Sequence, residues 1–319
     1  MTDAGLQVLA GRNLKYLAIP YDARTPLGLR NYLQAVEPPT TSLNLLQWKH
    51  LTDEGLKQLA AYKDLQTLDL RDVPVTGAGL KELAGLKNLQ ALSLSDTKVT
   101  DAGLKELAGM KLKGLYIPRH SQTDLGLKHY LAAVESKDVL DLESWHLTDA
   151  GLKELAGLTN LRTLSLRGTK ITGAGLKELA GLKSLQSLNL LQTKITDAGL
   201  KELAGLTNLQ SLNLSYTPVT DAGVKELAGL TNLRTLNLGD TLVSDVGLKH
   251  LAGLTNLQSL DLQDVKITDR GLPELAHLTK LRMLRVGSDK ITAMGLRELK
   301  KKLPECRIIY VLGYLYYEP

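Results

Sequence analysis

Leucine returns along this chain on a fixed beat. One copy of the pattern reads Leu185-Gln-Ser-Leu188-Asn-Leu190-Leu-Gln-Thr193-Lys-Ile195-Thr196-Asp197-Ala-Gly199-Leu200-Lys-Glu-Leu203-Ala204-Gly205-Leu206-Thr-Asn208. Each copy changes period halfway. Leu188-Asn189-Leu190 alternates with period two, which puts the leucines on one face of a short strand and Ser187 and Asn189 on the other. After Ile195 the apolar positions Leu200, Leu203 and Ala204 follow the i, i+3, i+4 spacing of a helix. Thr196 is placed as its N-cap, Asp197 faces the positive end of the dipole, and Gly205 is expected to close the helix in the left-handed conformation. Strand, turn, short helix and return loop predict one coil of a solenoid.

The unit is 24 residues and nearly exact from Leu140 onward, with Leu140 and Ile308 separated by seven repeats. Strand leucines recur at Leu17, Leu43, Leu68, Leu92, Leu115, Leu140, Leu164, Leu188, Leu212, Leu236, Leu260, Leu284 and, as isoleucine, Ile308, giving about thirteen coils. One coil cannot bury its own leucines, so neighbours must stack, with a parallel sheet on one face and short α-helices on the other. Helices are wider than strands, which predicts curvature with the sheet on the concave face. The crossover rule makes the coil right-handed.

Composition fits this reading. Of 319 residues 73 are leucine and none is phenylalanine, so the core slots are leucine-sized. A net charge of +5, from 39 basic and 34 acidic residues spread along the whole chain, is a solubility property and no footprint for nucleic acid. No apolar run approaches a membrane span. The single cysteine, Cys306, excludes an intrachain disulfide and a zinc ligand set. The opening residues show no secretory leader, which favours the cytoplasm, although they already lie in mid-repeat, as in a piece of something longer.

Two segments break the pattern in parallel. Leu17 to Val36 mirrors Leu115 to Val134, 98 residues or about four coils further on. In both, a polar residue, Arg24 or Gln122, replaces the buried aliphatic residue of the turn, and the helical side is lengthened. In the following coil the turn threonine becomes Trp48 or Trp145, which is expected to pack on the remodelled turn. These segments read either as seams of a duplicated four-coil block or as loops presenting Tyr21, Arg119 and His120 to a partner.

The Leu-x-x-Leu-x-Leu pattern resembles the leucine-rich repeat over essentially the whole chain. Its Thr-Asp-Ala-Gly-Leu-Lys-Glu-Leu-Ala half is similar to ribonuclease-inhibitor-like and F-box-associated repeats, and above all to large bacterial families. The resemblance implies a horseshoe-shaped α/β solenoid over residues 1–303, closed by a capping strand and tail at 304–319. Where the family commonly places asparagine in its turn ladder, this chain has Thr97, Thr169, Thr193, Thr217 and Thr241, whose hydroxyls are expected to keep that role.

The outward strand positions and adjoining turns are the candidate surface for a protein partner. They comprise Asp69, Arg71, Tyr116, Asp141, Glu143, Arg167, Asn189, Asn213, Tyr216, Asn237, Asp261, Arg282 and Arg285, with Tyr21, Arg119 and His120 at the rim. Catalytic constellations are absent from the pattern. Asp69, Asp141 and Asp261 sit coils apart, the histidines share no ligand spacing, and no phosphate loop follows a strand, so no enzyme, cofactor or metal is expected. Glu143-x-x-His146 is a coincidence of spacing. Lys300 to Lys302 suit the negative end of the last helix. At the N-terminal end Leu6, Leu9 and Leu14 are expected to be open to a second copy or a missing domain. The reading is a non-enzymatic scaffold that binds a protein through the concave face, with the recognition arm of a larger ligase-like or signalling protein as the alternative.

Overall fold

The computed structural model describes residues 3–15, 17–312 and 315–317. It divides into two compact units, Met1–Ser136 and Lys137–Pro319. The first holds a parallel sheet of β1 (Ser42–Asn44), β2 (Thr67–Asp69), β3 (Ala91–Ser93) and β4 (Gly114–Tyr116) in that order. Leu43, Leu68, Leu92 and Leu115 stand in register across it. The second unit continues the same plan with β5 (Val139–Asp141), β6 (Thr163–Ser165), β7 (Ser187–Asn189), β8 (Ser211–Asn213), β9 (Thr235–Asn237), β10 (Ser259–Gln263), β11 (Met283–Gly287) and β12 (Arg307–Leu312), all parallel. A last strand, β13 (Leu315–Tyr317), runs antiparallel to β12. The side chains of this tail lie outside the described residues, as does Tyr314.

Each unit buries what the alternation assigns to its core. In the second, Leu164, Leu188, Leu212, Leu236, Leu260 and Leu284 are at most 1% exposed. Full burial contributes roughly 1.5–3 kcal/mol per side chain, which a coil obtains only with neighbours stacked on it. The same rule explains where the first expected strand fails. Leu17 and Ile19 remain half-buried and residues 17–20 form no strand, since no strand precedes them among the described residues to seal that side. That coil pairs instead through a single bridge, Leu14 to Val36.

The N-terminal leucines are more covered than the sequence suggests. Leu6 is fully buried, and Leu9 and Leu14 are half-buried. The reason is the ten-residue helix Pro26–Ala35, which packs on the short helix Asp3–Gln7. Asn31 donates to the Asp3 carbonyl at 2.8 Å and Thr25 to its carboxylate at 2.8 Å. Leu6 is therefore closed to a second copy, while Leu9 and Leu14 stay open in part.

The helical side is tighter than a row of α-helices. Gly103–Leu107, Gly151–Leu155 and Gly173–Leu179 are 3₁₀ helices, and Asp53–Leu56, Gly77–Leu80 and Asp197–Leu200 are single α turns. A 3₁₀ helix rises more per residue, so few residues span the coil. Among the described residues only the remodelled segments, Pro26–Ala35 and Asp124–Ala133, and the last helix, Ala293–Lys302, reach ten residues.

Aspartate does more than meet a helix dipole. The carboxylates of Asp53, Asp149, Asp197, Asp221, Asp245 and Asp269 each accept two bonds from the next coil, one from a Thr or Ser amide at 2.7–2.9 Å and one from its hydroxyl at 2.6–2.7 Å. The glycine three residues beyond that threonine or serine makes room for the carboxylate: a Cβ on Gly223 would collide with Asp197. Thr196, by contrast, makes no side-chain cap bond, and the coil before it carries Gly173 in place of the aspartate. Gly205 is not left-handed. The Lys183 ammonium lies beside it and donates to its carbonyl at 3.0 Å.

Candidate functional site

The outward face of each sheet is built by strand alternation and by the turn that follows. Asn44, Asp69, Asp141, Asn189, Asn213, Asn237 and Asp261 occupy the last outward position of the strand core, and each accepts the amide of the residue two further on at 2.9–3.1 Å. These side chains therefore shape the strand exit before any partner arrives. Three residues beyond this strand position the chain enters the left-handed region, at Gln47, Asp72, Asp96, Ser144, Gln192, Tyr216, Asp240 and Asp264, with φ between 53 and 63°. That turn aims the amide at the next coil: Tyr216 donates to the Gly239 carbonyl at 3.0 Å and Asp240 to Gln263 at 2.9 Å.

The turn threonines complete this corner locally. Thr97, Thr169, Thr193, Thr217 and Thr241 are buried, and each hydroxyl donates to the leucine carbonyl three residues earlier in its own coil, at 2.5–2.7 Å. The links between coils here are made by the main chain instead, as in Lys98 to Val75 and Lys194 to Ile171.

In the first unit the sheet face holds a cavity of about 330 Å³ between Asp69 and Arg71 on one side, Tyr116 on the other, and the small residues Ala91, Ser93 and Ser95 on its floor. Arg71 donates to both oxygens of Asp69, at 2.7–3.1 Å. That bond holds the Asp69 carboxyl below the usual carboxylate range and raises the Arg71 guanidinium. Tyr116 is 66% exposed and stands beside this pair.

The remodelled segment of the same unit shows what its unusual residues do. Trp48 is buried and meets Tyr32 edge to face at 6.4 Å, and both line a second cavity with Arg24, Leu17 and Ile19. The Arg24 guanidinium donates to the Ile19 carbonyl at 3.3 Å, tying the turn to its own coil. Tyr21 is half exposed and packs edge to face on His50. The His120 ring lies 2.8 Å from the Val99 carbonyl, beside Ser121, which donates to the same oxygen at 2.7 Å. Arg119 is exposed next to it. Trp145 is buried in the second unit.

In the second unit the sheet face carries ion pairs across neighbouring strands. Arg167 pairs with Glu143 at 3.5 Å and Arg285 with Asp261 at 3.1 Å. Tyr216 is 60% exposed in its left-handed turn, and its hydroxyl bonds to Asp240, which holds the phenol above its ordinary pKa. Arg282 does not belong to this face. It precedes β11 at the repeat position of Gln210, Arg234 and Gln258, which line a separate cavity on the loop side. Sequence reasoning missed this second row. Its signal is the Thr-Asn-Leu-(Arg/Gln) stretch repeated at 207–210, 231–234 and 255–258. Among the described residues no group of three or more His, Cys, Asp or Glu gathers as a metal site.

Stacked coils with parallel strands on one side and helical turns on the other define a leucine-rich-repeat solenoid. Leucine-rich-repeat family models match residues 159–219, 207–252, and 85–108 with 253–276, so these stretches are leucine-rich repeats. Among solved structures, the internalin InlF of Listeria monocytogenes is similar over 98% of this chain and 94% of its own, at 20% identity and a TM-score of 0.60. That likeness concerns the fold. Internalin C2 of the same organism aligns over 89% of this chain and 91% of its own, at 25% identity and a TM-score of 0.38. A plant peptide hormone receptor, RGFR1 in complex with RGF2, aligns over 86% of this chain and 47% of its own, at 19% identity and a TM-score of 0.46. No curated protein sequence matches the chain. No helix among the described residues is long and apolar enough to cross a membrane.

Proposed function

We propose that this protein is a non-enzymatic scaffold that binds another protein through the outward face of its sheets. The observation that carries the reading is the pairing of exposed tyrosines with polar neighbours on an otherwise rigid face. Tyr116 stands over the cavity floored by Ala91 and Ser93, and Tyr216 rises from a turn its residue type disfavours. Tyrosine offers wide contact area at low entropic cost, and backbone strain of this kind is retained most often where it serves a function. Asp69 with Arg71, Glu143 with Arg167, and Asp261 with Arg285 then supply polar contacts of fixed geometry.

The test is affinity capture from a native lysate with three forms of the protein: the parent, a Tyr116→Ser/Tyr216→Ser double variant, and a helical-side control, Glu202→Lys. A partner held by the parent and the control but lost by the double variant supports the reading. Equal capture by all three forms removes it.

A further inference from the structure

We propose that the second unit carries a separate binding site for an anionic sugar, a saccharide bearing a tetrahedral oxyanion ester such as phosphate or sulfate. The site is the cavity of about 450 Å³ on the loop side of the coils, lined by Asn208, Gln210, Asn232, Arg234, Asn256, Gln258 and Lys280. Every lining residue is a carboxamide or a cation, and none is apolar or acidic. The cavity is a direct product of the repeat, since equivalent positions on successive coils stack about 4.8 Å apart.

The internal hydrogen bonds show what is left over for a ligand. Asn208, Asn232 and Asn256 each spend one amide donor on a carbonyl of the preceding coil, those of Lys183, Thr207 and Thr231, at 2.8–2.9 Å. Lys280 donates to the Asn256 side-chain oxygen at 2.7 Å, and neither it nor Arg234 is in an ion pair among the described residues. The Arg234 guanidinium, the Lys280 ammonium and the Gln210 and Gln258 amides thus present donors with positive charge and no opposing carboxylate. Such a set favours an oxyanion, which accepts charge-assisted bonds from a guanidinium fork.

Size and polarity define the rest of the ligand. The cavity exceeds what a lone oxyanion fills, and Arg234 and Lys280 lie two coils apart, about 10 Å at the strand spacing. Walls without apolar side chains give no seat to an aromatic ring or an acyl chain. The Asn208 and Asn232 side-chain oxygens and the glutamine amides instead match the hydroxyls of a sugar. This site is independent of the sheet face.

Ligand-observed NMR titrations with glucose 6-phosphate, glucose 6-sulfate, glucose and inorganic phosphate test it on the full chain. Saturable binding of at least one ester is expected, weaker by about tenfold for glucose and for inorganic phosphate. Arg234→Gln and Lys280→Gln should each weaken the ester by about tenfold, while Tyr216→Ser leaves it unchanged. Both substituted residues are exposed, so the variants are expected to fold, and circular dichroism checks this. The ester that binds tells phosphate from sulfate as the source of the charge. Saturation by neither ester, equal binding of plain glucose, or full affinity in Arg234→Gln would overturn the proposal.

Discussion

Aspartate at the start of each helical turn is the residue on which the stacking of coils turns. In the sequence it reads as a partner for a helix dipole, worth roughly 0.3–1 kcal/mol at an exposed position. In the structure it also accepts an amide and a hydroxyl from the next coil, so its loss leaves two donors without their acceptor. Asp221→Ala should therefore destabilise the protein by about 1.5–3 kcal/mol in chemical denaturation. Asp221→Asn, which keeps an acceptor oxygen, should lose less, and a shift of only a few tenths for alanine would return the residue to a dipole role. Tyr216 tests the opposite balance. Its left-handed backbone costs about 1 kcal/mol, and Tyr216→Asn should raise or preserve the melting temperature while reducing partner capture. A variant that melts lower and still captures fully would contradict that reading. Cys306 is buried, and desolvation pushes its thiol up to about 11, so at pH 8 the native chain holds almost no thiolate there. Labelling by a thiol reagent at that pH should follow global unfolding, and fast labelling of the native protein would contradict the buried setting.

At the scale of the element, a coil is a strand, a left-handed turn, a helical turn and a return loop, closed by its own threonine and tied to its neighbours by main-chain bonds. Because each coil touches only the next, stability is a sum over coils and their interfaces. Removing one whole repeat from the second unit, residues 209–232, rejoins equivalent positions. The shortened protein should stay folded, with a lower melting temperature and a smaller dependence of stability on denaturant, as less surface is buried. Loss of the cooperative transition would show that the coils are not interchangeable. The strands and their register are legible in the leucine beat, because burial of one face leaves no freedom to slip by a residue. The helical side is less legible. The same Gly-Leu-Lys-Glu-Leu string forms a 3₁₀ helix at Gly103–Leu107 and Gly151–Leu155, whereas Asp197–Leu200 makes an α turn ahead of its Lys-Glu-Leu, so closure of the coil overrides local preference.

For the whole molecule, the repeat count suggests one uninterrupted stack, and each of the two compact units, Met1–Ser136 and Lys137–Pro319, is itself a run of stacked coils. Residues 137–319 contain their own parallel sheet and their own leucine core, so this fragment alone should show native-like circular dichroism and a cooperative melt. A fragment without a transition would show that its core needs the preceding coils. The sequence by itself determined the fold family, the strands and buried leucines from Leu43 onward, and the two remodelled segments, since all of these follow from a period that only one architecture can bury. The tertiary structure alone decided the rest: that aspartates bridge coils, that threonines close their own turns, that Leu6 is covered, and that Arg282 falls in another row than Arg285. These depend on what the adjacent coil presents at a given height, 24 residues away in sequence, and a pattern read along one coil carries no information about which of its polar groups the next coil will engage.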